Sequence, residues 1–237
     1  MKIKVLFDKY SEDKRLRVGW GVSFLVGETI LFDTGERGDW LIENMKDLSV
    51  DIDKIESIVI SHDHWDHWGG LWDLLEHKKG MKVYICPNFS REFKIKAESL
   101  GAVLINTEGL TEIAQGVFST GEIGGVYHGK YMPEQALVIK TKNSLTIITG
   151  CAHPGIVKIV KTVMEKFPKE RIYLVLGGFH LKEEDKRAIE IIIEKFKKME
   201  VKKAGPTHCS GSMAERMFKD KYKKNFVSIK TGDILNI

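Results

Sequence analysis

Four side chains of types that bind metal ions fall within six consecutive positions of this 237-residue chain. They lie in the segment Ser-His-Asp-His-Trp-Asp-His at 61–67, and they are His62, His64, Asp66 and His67. In an extended backbone, side chains two positions apart face the same way, so His62 and His64 can bind one ion. Asp66 and His67 follow after a turn and can hold a second ion. Imidazole nitrogen combined with one carboxylate favours zinc, iron or manganese over calcium or magnesium.

The alternative interpretation is a surface loop that is rich in histidine by chance. Three of the eight histidines of the chain lie in this one segment beside an aspartate, which favours the metal site. The apolar run Ile58-Val59-Ile60 before it predicts a short buried strand, and Gly69-Gly70 after it can start a helix. We therefore expect the ligands to follow directly after the end of a strand.

Hydrophobic patterns predict strands and helices along the whole chain. Strands are expected at 2–7, 18–26, 29–33, 56–61, 82–86, 102–106, 135–140, 144–149, 171–176 and 226–229. Helices are expected at 39–48, 68–78, 89–99, 155–167, 183–199 and 211–220. The early strands are hairpin-like and the later ones alternate with helices, which predicts an α/β protein with two sheets and helices outside them.

The motif His-x-His-x-Asp-His followed by Gly-Gly resembles the signature of the metallo-β-lactamase superfamily. Upstream, Ile-Leu-Phe-Asp-Thr-Gly at 30–35 resembles the superfamily's strand that ends in Asp-Thr-Gly. The resemblance spans nearly the whole chain. It implies a single domain over residues 1–237 with the αββα four-layer sandwich, in which two mixed β-sheets are flanked by helices. It also implies a mononuclear or dinuclear divalent metal site, with zinc expected first and iron or manganese as alternatives.

The resemblance also implies ligands from the second half of the chain. The superfamily usually has Thr-Gly-Asp where this chain has Thr-Gly-Cys at 149–151, and its usual histidine ahead of that strand is missing here. We expect His153 to replace that histidine at the first ion, whereas Cys151 is either a thiolate ligand or a small buried apolar side chain. His208 stands where the superfamily has its final metal histidine and is expected at the second ion. A helix-capping loop is the alternative for His208.

Three further roles follow from residue type and position. His180 closes the run Gly-Gly-Phe-His at 177–180, whose glycines suggest close approach of the backbone to a substrate. We expect His180 to donate a proton or a hydrogen bond to the substrate, or else to support the site from further away. Asp66 is expected to orient the nucleophile as well as to bind metal. Asp33 follows three apolar residues and is expected to accept a hydrogen bond from a metal-binding histidine, with a turn as the alternative.

A narrower resemblance rests on three motifs together. They are Thr-Gly-Cys-Ala-His-Pro-Gly-Ile at 149–156, Gly-Gly-Phe-His-Leu at 177–181 and His-Cys-Ser-Gly at 208–211. Their combination is similar to the dihydropteroate-synthase-like subgroup of the superfamily. That subgroup includes an archaeal enzyme that joins a dihydropterin methyl diphosphate to a ribofuranosylaminobenzene phosphate.

Three functions are therefore compatible with the sequence. The first is a metal-dependent hydrolase that acts on a small phosphate- or ester-containing substrate. The second is a pterin-diphosphate transferase that releases diphosphate, and the same ligands would serve both reactions. The third is a non-catalytic protein that binds a metal or a ligand.

Composition limits the setting in which these functions operate. A hydrophobic content of 43% is enough for a substantial core. The three cysteines are too few for a disulfide scaffold, and no signal peptide or membrane span is recognisable, so we expect a cytoplasmic protein without a membrane partner. The net charge of +4 is modest, and lysines alternate with glutamates over 182–199, which predicts solvated helix faces rather than a nucleic-acid surface. A small, phosphorylated substrate suits this charge, and the sequence leaves the oligomeric state open.

Overall fold

A computed structural model describes residues 1–142 and 144–237 of the chain. The strands in chain order are β1 (Lys2–Phe7), β2 (Ser23–Val26), β3 (Ile30–Phe32), β4 (Ser57–Val59), β5 (Lys82–Ile85), β6 (Val103–Asn106), β7 (Thr111–Ala114), β8 (Val117–Ser119), β9 (Val126–Tyr127), β10 (Lys130–Tyr131), β11 (Leu137–Thr141), β12 (Ser144–Thr149), β13 (Arg171–Gly178), β14 (Lys203–Thr207) and β15 (Ile234–Asn236). The α-helices are α1 (Gly38–Asp47), α2 (Trp65–Trp68), α3 (Leu71–His77), α4 (Arg91–Ser99), α5 (Ile156–Lys166), α6 (Lys186–Lys198) and α7 (Gly211–Tyr222).

The chain divides into two compact units, each with its own sheet and its own apolar core. The first unit comprises Met1–Glu108 and Lys230–Ile237, and its sheet has the strand order β15-β1-β2-β3-β4-β5-β6. β15, β1, β2 and β3 pair antiparallel, whereas β3, β4, β5 and β6 run parallel. Parallel strands buried on both faces read as continuous apolar runs, and β3 and β4 are buried at every position. Apolar side chains of α1, α3 and α4 complete the core of this unit.

The second unit comprises Gly109–Ile229, and its sheet has the strand order β14-β13-β12-β11-β8-β7. β12, β13 and β14 run parallel, and the remaining pairs are antiparallel. α6 shows how the helices are built: its carboxylate cap Asp185 accepts a hydrogen bond from the Ala188 amide at 2.8 Å. Ile189, Ile193 and Phe196 then recur on one face of α6 and are buried in the core of the unit. A separate hairpin of β9 and β10 completes the unit.

The predicted fold class is confirmed, because the structure contains two large mixed sheets flanked by helices. Some details of the sequence prediction were wrong. The run 226–229 forms no strand and contributes only an isolated bridge between Phe226 and Ala204. The predicted strand 18–26 begins only at Ser23. Within the described part of the chain, no helix combines the length and the apolar character that a membrane span requires.

Candidate metal centre

The predicted ligands of the first unit lie together directly after β4. Nε2 of His62 and Nδ1 of His64 are 3.1 Å apart, and Nε2 of His67 lies 3.4 Å from Oδ2 of Asp66. Two ligand atoms on a tetrahedral zinc ion, each bonded at 2.0–2.1 Å, stand about 3.3 Å apart. Both separations match that edge length, so the donor set of this loop fits a small divalent cation. The rings of His62 and His67 are also in contact, with centroids 4.1 Å apart.

The predicted role of Asp33 as a hydrogen-bond acceptor is borne out. Its carboxylate is fully buried and accepts hydrogen bonds from the Ser61 amide at 2.7 Å, the Ser61 hydroxyl at 2.7 Å and Nδ1 of His67 at 2.6 Å. Asp33 follows β3, and its φ of 54° lies in the left-handed region that non-glycine residues seldom adopt. Such backbone strain is typical of functional positions, where the surrounding contacts hold it in place.

These contacts select the ligand atoms of two histidines. The Ser61 hydroxyl donates its single hydrogen to Asp33, so it accepts from Nδ1 of His62, which lies 2.9 Å away. Nδ1 of His67 donates to Asp33 directly. In both rings Nδ1 therefore carries the hydrogen, and Nε2 is left as the atom that can bind a metal. One buried carboxylate thus sets the tautomers of His62 and His67.

Charge around His67 changes its protonation in the metal-free protein. Burial lowers the pKa of His67, but the neighbouring carboxylates of Asp66 and Asp33 outweigh this effect and hold the pKa well above its ordinary value. A metal ion that binds His67 must displace this proton. Metal binding and proton release are therefore coupled at this side chain.

The backbone around Asp66 is closely packed. A Cβ atom on Gly21, which has a φ of 98°, would lie 1.9 Å from the carbonyl oxygen of Asp66. Asp63 fixes the other side of the loop, since its carboxylate accepts hydrogen bonds from Nε1 of Trp68 at 3.0 Å and from the Ser90 amide at 2.7 Å. Neither Gly21 nor Asp63 was predicted to have a role in the site.

The predicted site residues of the second unit follow the carboxyl ends of its parallel strands. Cys151 and His153 follow β12, His180 follows β13, and His208 follows β14. The ligand atoms of Cys151, His153 and His180 all lie within 4.8 Å of one another. Those of Cys151, His208 and Cys209 meet the same limit. His180 and His208 have φ values of 53° and 51°, the same left-handed conformation that Asp33 adopts in the first unit.

Glu134 is a buried carboxylate of the second unit that the sequence analysis missed. Oε1 accepts hydrogen bonds from the amides of Cys151 at 2.9 Å and Ala152 at 2.8 Å. Oε2 accepts from the amide of His153 at 2.9 Å and from Nδ1 of its ring at 3.2 Å. Burial raises the pKa of Glu134. The hydrogen bond and the charge of the His153 ring, together with hydrogen bonds from the amides of Ala152 and His153, outweigh this effect and bring the pKa down to about 2. An acidic residue at the entry to a predicted strand, in Pro-Glu-Gln-Ala-Leu at 133–137, was the available signal.

Cys209 is buried with its thiol toward Cys151. Its Sγ lies 3.6 Å from the Cys151 carbonyl oxygen. Burial raises the pKa of this thiol, but contacts with Cys151, His208 and His180 bring it well below its usual value. The same pairing with Cys209 raises the pKa of His180. The contact between Cys209 and His180 therefore favours the thiolate and the imidazolium forms of the two side chains.

The glycines ahead of His180 let β13 approach the neighbouring strand β12. Their predicted approach to a substrate stays a prediction. A Cβ on Gly177 would lie 2.0 Å from the Thr149 carbonyl oxygen, and one on Gly178 would lie 2.1 Å from the Gly150 carbonyl oxygen. On the β9–β10 hairpin, the ring of Tyr127 contacts His153 and His180, with centroid separations of 4.9 and 5.4 Å.

The metallo-β-lactamase superfamily model matches residues 18–179, which is more than half of the chain. The chain belongs to the metallo-β-lactamase superfamily. The 7,8-dihydropterin-6-methyl-4-(β-D-ribofuranosyl)-aminobenzene-5'-phosphate synthase of Methanocaldococcus jannaschii is 30% identical, with 91% of this chain and 89% of that protein covered. This similarity agrees with the narrower resemblance seen in the sequence.

Solved structures of the superfamily share the fold. The crystal structure of Tm1679, described as a metal-dependent hydrolase of the β-lactamase superfamily, superposes with a TM-score of 0.84 at 30% identity, over 100% of this chain and 99% of that one. The metallo-β-lactamase fold protein YhfI from Bacillus subtilis gives a TM-score of 0.70 at 12% identity, over 99% and 98% of the two chains. The chain therefore has the metallo-β-lactamase fold.

Proposed function

We propose that this protein is a metal-dependent hydrolase of a small phosphate- or ester-containing substrate. The observation that carries the proposal is the donor geometry after β4, where imidazole and carboxylate atoms stand at the separations of a zinc tetrahedron. The proposed metal ligands are His62, His64, Asp66 and His67 of the first unit and His153 and His208 of the second. The 30% identity to a protein described as a metal-dependent hydrolase supports the reaction class.

A bound divalent ion would polarise the substrate oxygen as a Lewis acid and lower the pKa of water toward neutrality. The residues of the chain have distinct tasks around that chemistry. Asp66 accepts a hydrogen bond from the attacking water and orients it. His180, whose pKa is raised by its contact with Cys209, transfers a proton to the leaving oxygen. Nδ1 of His180 is buried without a hydrogen-bond partner among residues 1–142 and 144–237.

The second candidate function is transfer of a pterinylmethyl group from its diphosphate to an aromatic acceptor. It is favoured by the 30% identity to the archaeal synthase over 91% of this chain. In that reaction the carbon–oxygen bond to the diphosphate breaks, the aromatic acceptor forms a bond to the same carbon, and the acceptor loses a proton. Here His180 would protonate or hydrogen-bond the departing diphosphate. A non-catalytic metal-binding protein is the third candidate.

Elemental analysis combined with a turnover screen separates the three candidates. Purified protein is assayed for bound zinc, iron and manganese and for turnover of phosphodiesters, lactones and pterin diphosphates. His64→Ala should lose both metal and activity, whereas His77→Ala should keep both, because His77 lies at the exposed end of α3 with 48% of its side chain accessible. Diphosphate release only in the presence of an aryl amine would select the transferase. Bound metal without turnover of any substrate would select the binding protein, and full metal retention in His64→Ala would refute the ligand assignment.

We also propose a cytoplasmic location and a small-molecule partner, without nucleic acid or membrane. Cys86, Cys151 and Cys209 all carry free thiols, which supports a reducing compartment. Thiol titration of protein purified without reductant tests this proposal, and three reactive thiols per denatured chain are expected.

A further inference from the structure

Glu134 is held in place by its backbone as well as by its side chain. Its amide donates to the Ile123 carbonyl oxygen and its carbonyl oxygen accepts from the Ile123 amide, both at 3.0 Å. This bridge fixes the direction in which the side chain leaves the backbone. The carboxylate is fully buried, so its four hydrogen bonds to the loop 151–153 are formed away from water.

The loop that Glu134 contacts has an unusual backbone conformation. Ala152 has a φ of 64° and Gly155 has a φ of 93°, both in the left-handed region. Three consecutive amides, those of Cys151, Ala152 and His153, point at one carboxylate. Three such contacts alone would make Glu134 a structural anchor.

The fourth contact reaches the ring of His153 and gives Glu134 a chemical consequence. A carboxylate has no hydrogen to donate, so Nδ1 of His153 must donate across the 3.2 Å contact. Nδ1 then carries the hydrogen, and the lone pair that can bind a cation is on Nε2. The same relationship joins Asp33 and His67 in the first unit. In each unit, a buried carboxylate orients one of the proposed ligand histidines.

We propose that Glu134 is a positioning residue that fixes both the tautomer and the orientation of His153 for metal binding. The tautomer is independent of the proposed function, whereas the effect on metal affinity rests on it. Glutamine is the informative replacement because it has the same shape. Its NH2 group must face either the amides of Cys151 and Ala152 or the two donors of His153, and two hydrogen bonds are lost in either orientation.

The first experiment reads the tautomer in metal-free protein. Nitrogen-15 NMR of the histidine rings is recorded at about pH 8, above the ~6.5 pKa of free histidine, with His153→Gln to assign the signal. The wild-type ring is expected as the Nδ1–H tautomer, and Glu134→Gln should give a mixture or the Nε2–H form. A wild-type His153 ring with its hydrogen on Nε2 would overturn the proposal, even if the Glu134→Gln variant failed to fold.

The second experiment measures zinc affinity by competition with a chelator. Glu134→Gln should bind zinc about 10–100-fold more weakly than the wild type. Ser119→Ala is the matched control, because the Ser119 hydroxyl is buried in the same unit and bonds Gln135, next to Glu134, without contacting His153. Ser119→Ala should keep wild-type affinity.

Two outcomes separate this inference from the proposed function. Unchanged zinc affinity in folded Glu134→Gln, together with loss of zinc in His64→Ala and His153→Ala, would refute the inference alone. Unchanged zinc affinity in His64→Ala and His153→Ala would refute the metal assignment. In that case the NMR result would still decide whether Glu134 sets the His153 tautomer.

Discussion

Oδ2 of Asp33 accepts a 2.6 Å hydrogen bond from Nδ1 of His67, and both side chains are completely buried. The contact joins residues 34 positions apart, each placed by the end of a neighbouring parallel strand. Because Asp33 also bonds both donors of Ser61, one carboxylate connects β3 to the loop after β4.

Replacing Asp33 with asparagine should weaken both metal binding and folding. The amide group of asparagine must face Ser61 or His67, each of which already donates, so the loop loses hydrogen bonds and a buried charge. We expect zinc affinity to fall about 10–100-fold. Removing one partner of a buried ion pair costs about 3 kcal/mol of unfolding free energy, which chemical denaturation of the metal-free protein can measure. Wild-type values in both measurements would show that Asp33 merely forms a turn.

The raised pKa of His67 predicts how the metal-free protein responds to pH. A group whose pKa is higher in the folded state contributes stability that is complete below its unfolded value, ~6.5 for histidine, and is lost as pH rises through the folded value. The unfolding free energy should therefore fall over this window, and His67→Gln should flatten the slope. Zinc affinity should rise over the same window because the ion displaces the proton. A stability that rises with pH there would contradict the prediction.

Gly21→Ala should disturb the metal loop through its backbone. A methyl group at this position would lie 1.9 Å from the carbonyl oxygen of Asp66, so the loop must move. Gly27→Ala is the matched control: Gly27 also has a positive φ, of 63°, but nothing lies within 4 Å of the added carbon. The unfolding free energy of the control should fall by about 1–2 kcal/mol because alanine is disfavoured in the left-handed conformation. Gly21→Ala should lose more and should also retain less zinc, and equal effects in the two variants would argue against the clash.

Periodic and continuous apolar patterns accounted for most of the fold. β12 matches its predicted bounds, and α5 and α6 each lie within a predicted helix, since one buried face dominates such segments. The missed strands β7 to β10 and β15 have only two to four residues each, too few for an apolar pattern to stand out. The run 226–229 contains apolar residues but pairs through a single bridge, which no local pattern distinguishes from a strand.

The site was predictable where its residues are close in sequence and unpredictable where a contact spans the chain. His62, His64, Asp66 and His67 form one motif, and the structure holds them together as that motif implies. Glu134 contacts a loop that begins 17 positions later, and its backbone is held by a bridge to Ile123 rather than by any local pattern. A buried charge in an apolar run indicates that some partner exists, but it does not identify the partner.

The pairing of Cys209 with His180 predicts the alkaline limb of the activity profile. If His180 protonates the leaving group, kcat falls as pH rises through its pKa, which Cys209 raises. Cys209→Ala removes this effect, so the alkaline limb of the zinc-saturated protein should move to lower pH. Cys86→Ala is the matched control, since Cys86 is a buried free thiol of the first unit that contacts the Ser61 carbonyl oxygen at 3.8 Å. If the alkaline limb of the kcat profile stays in place in Cys209→Ala, or moves equally in both variants, His180 is not the general acid.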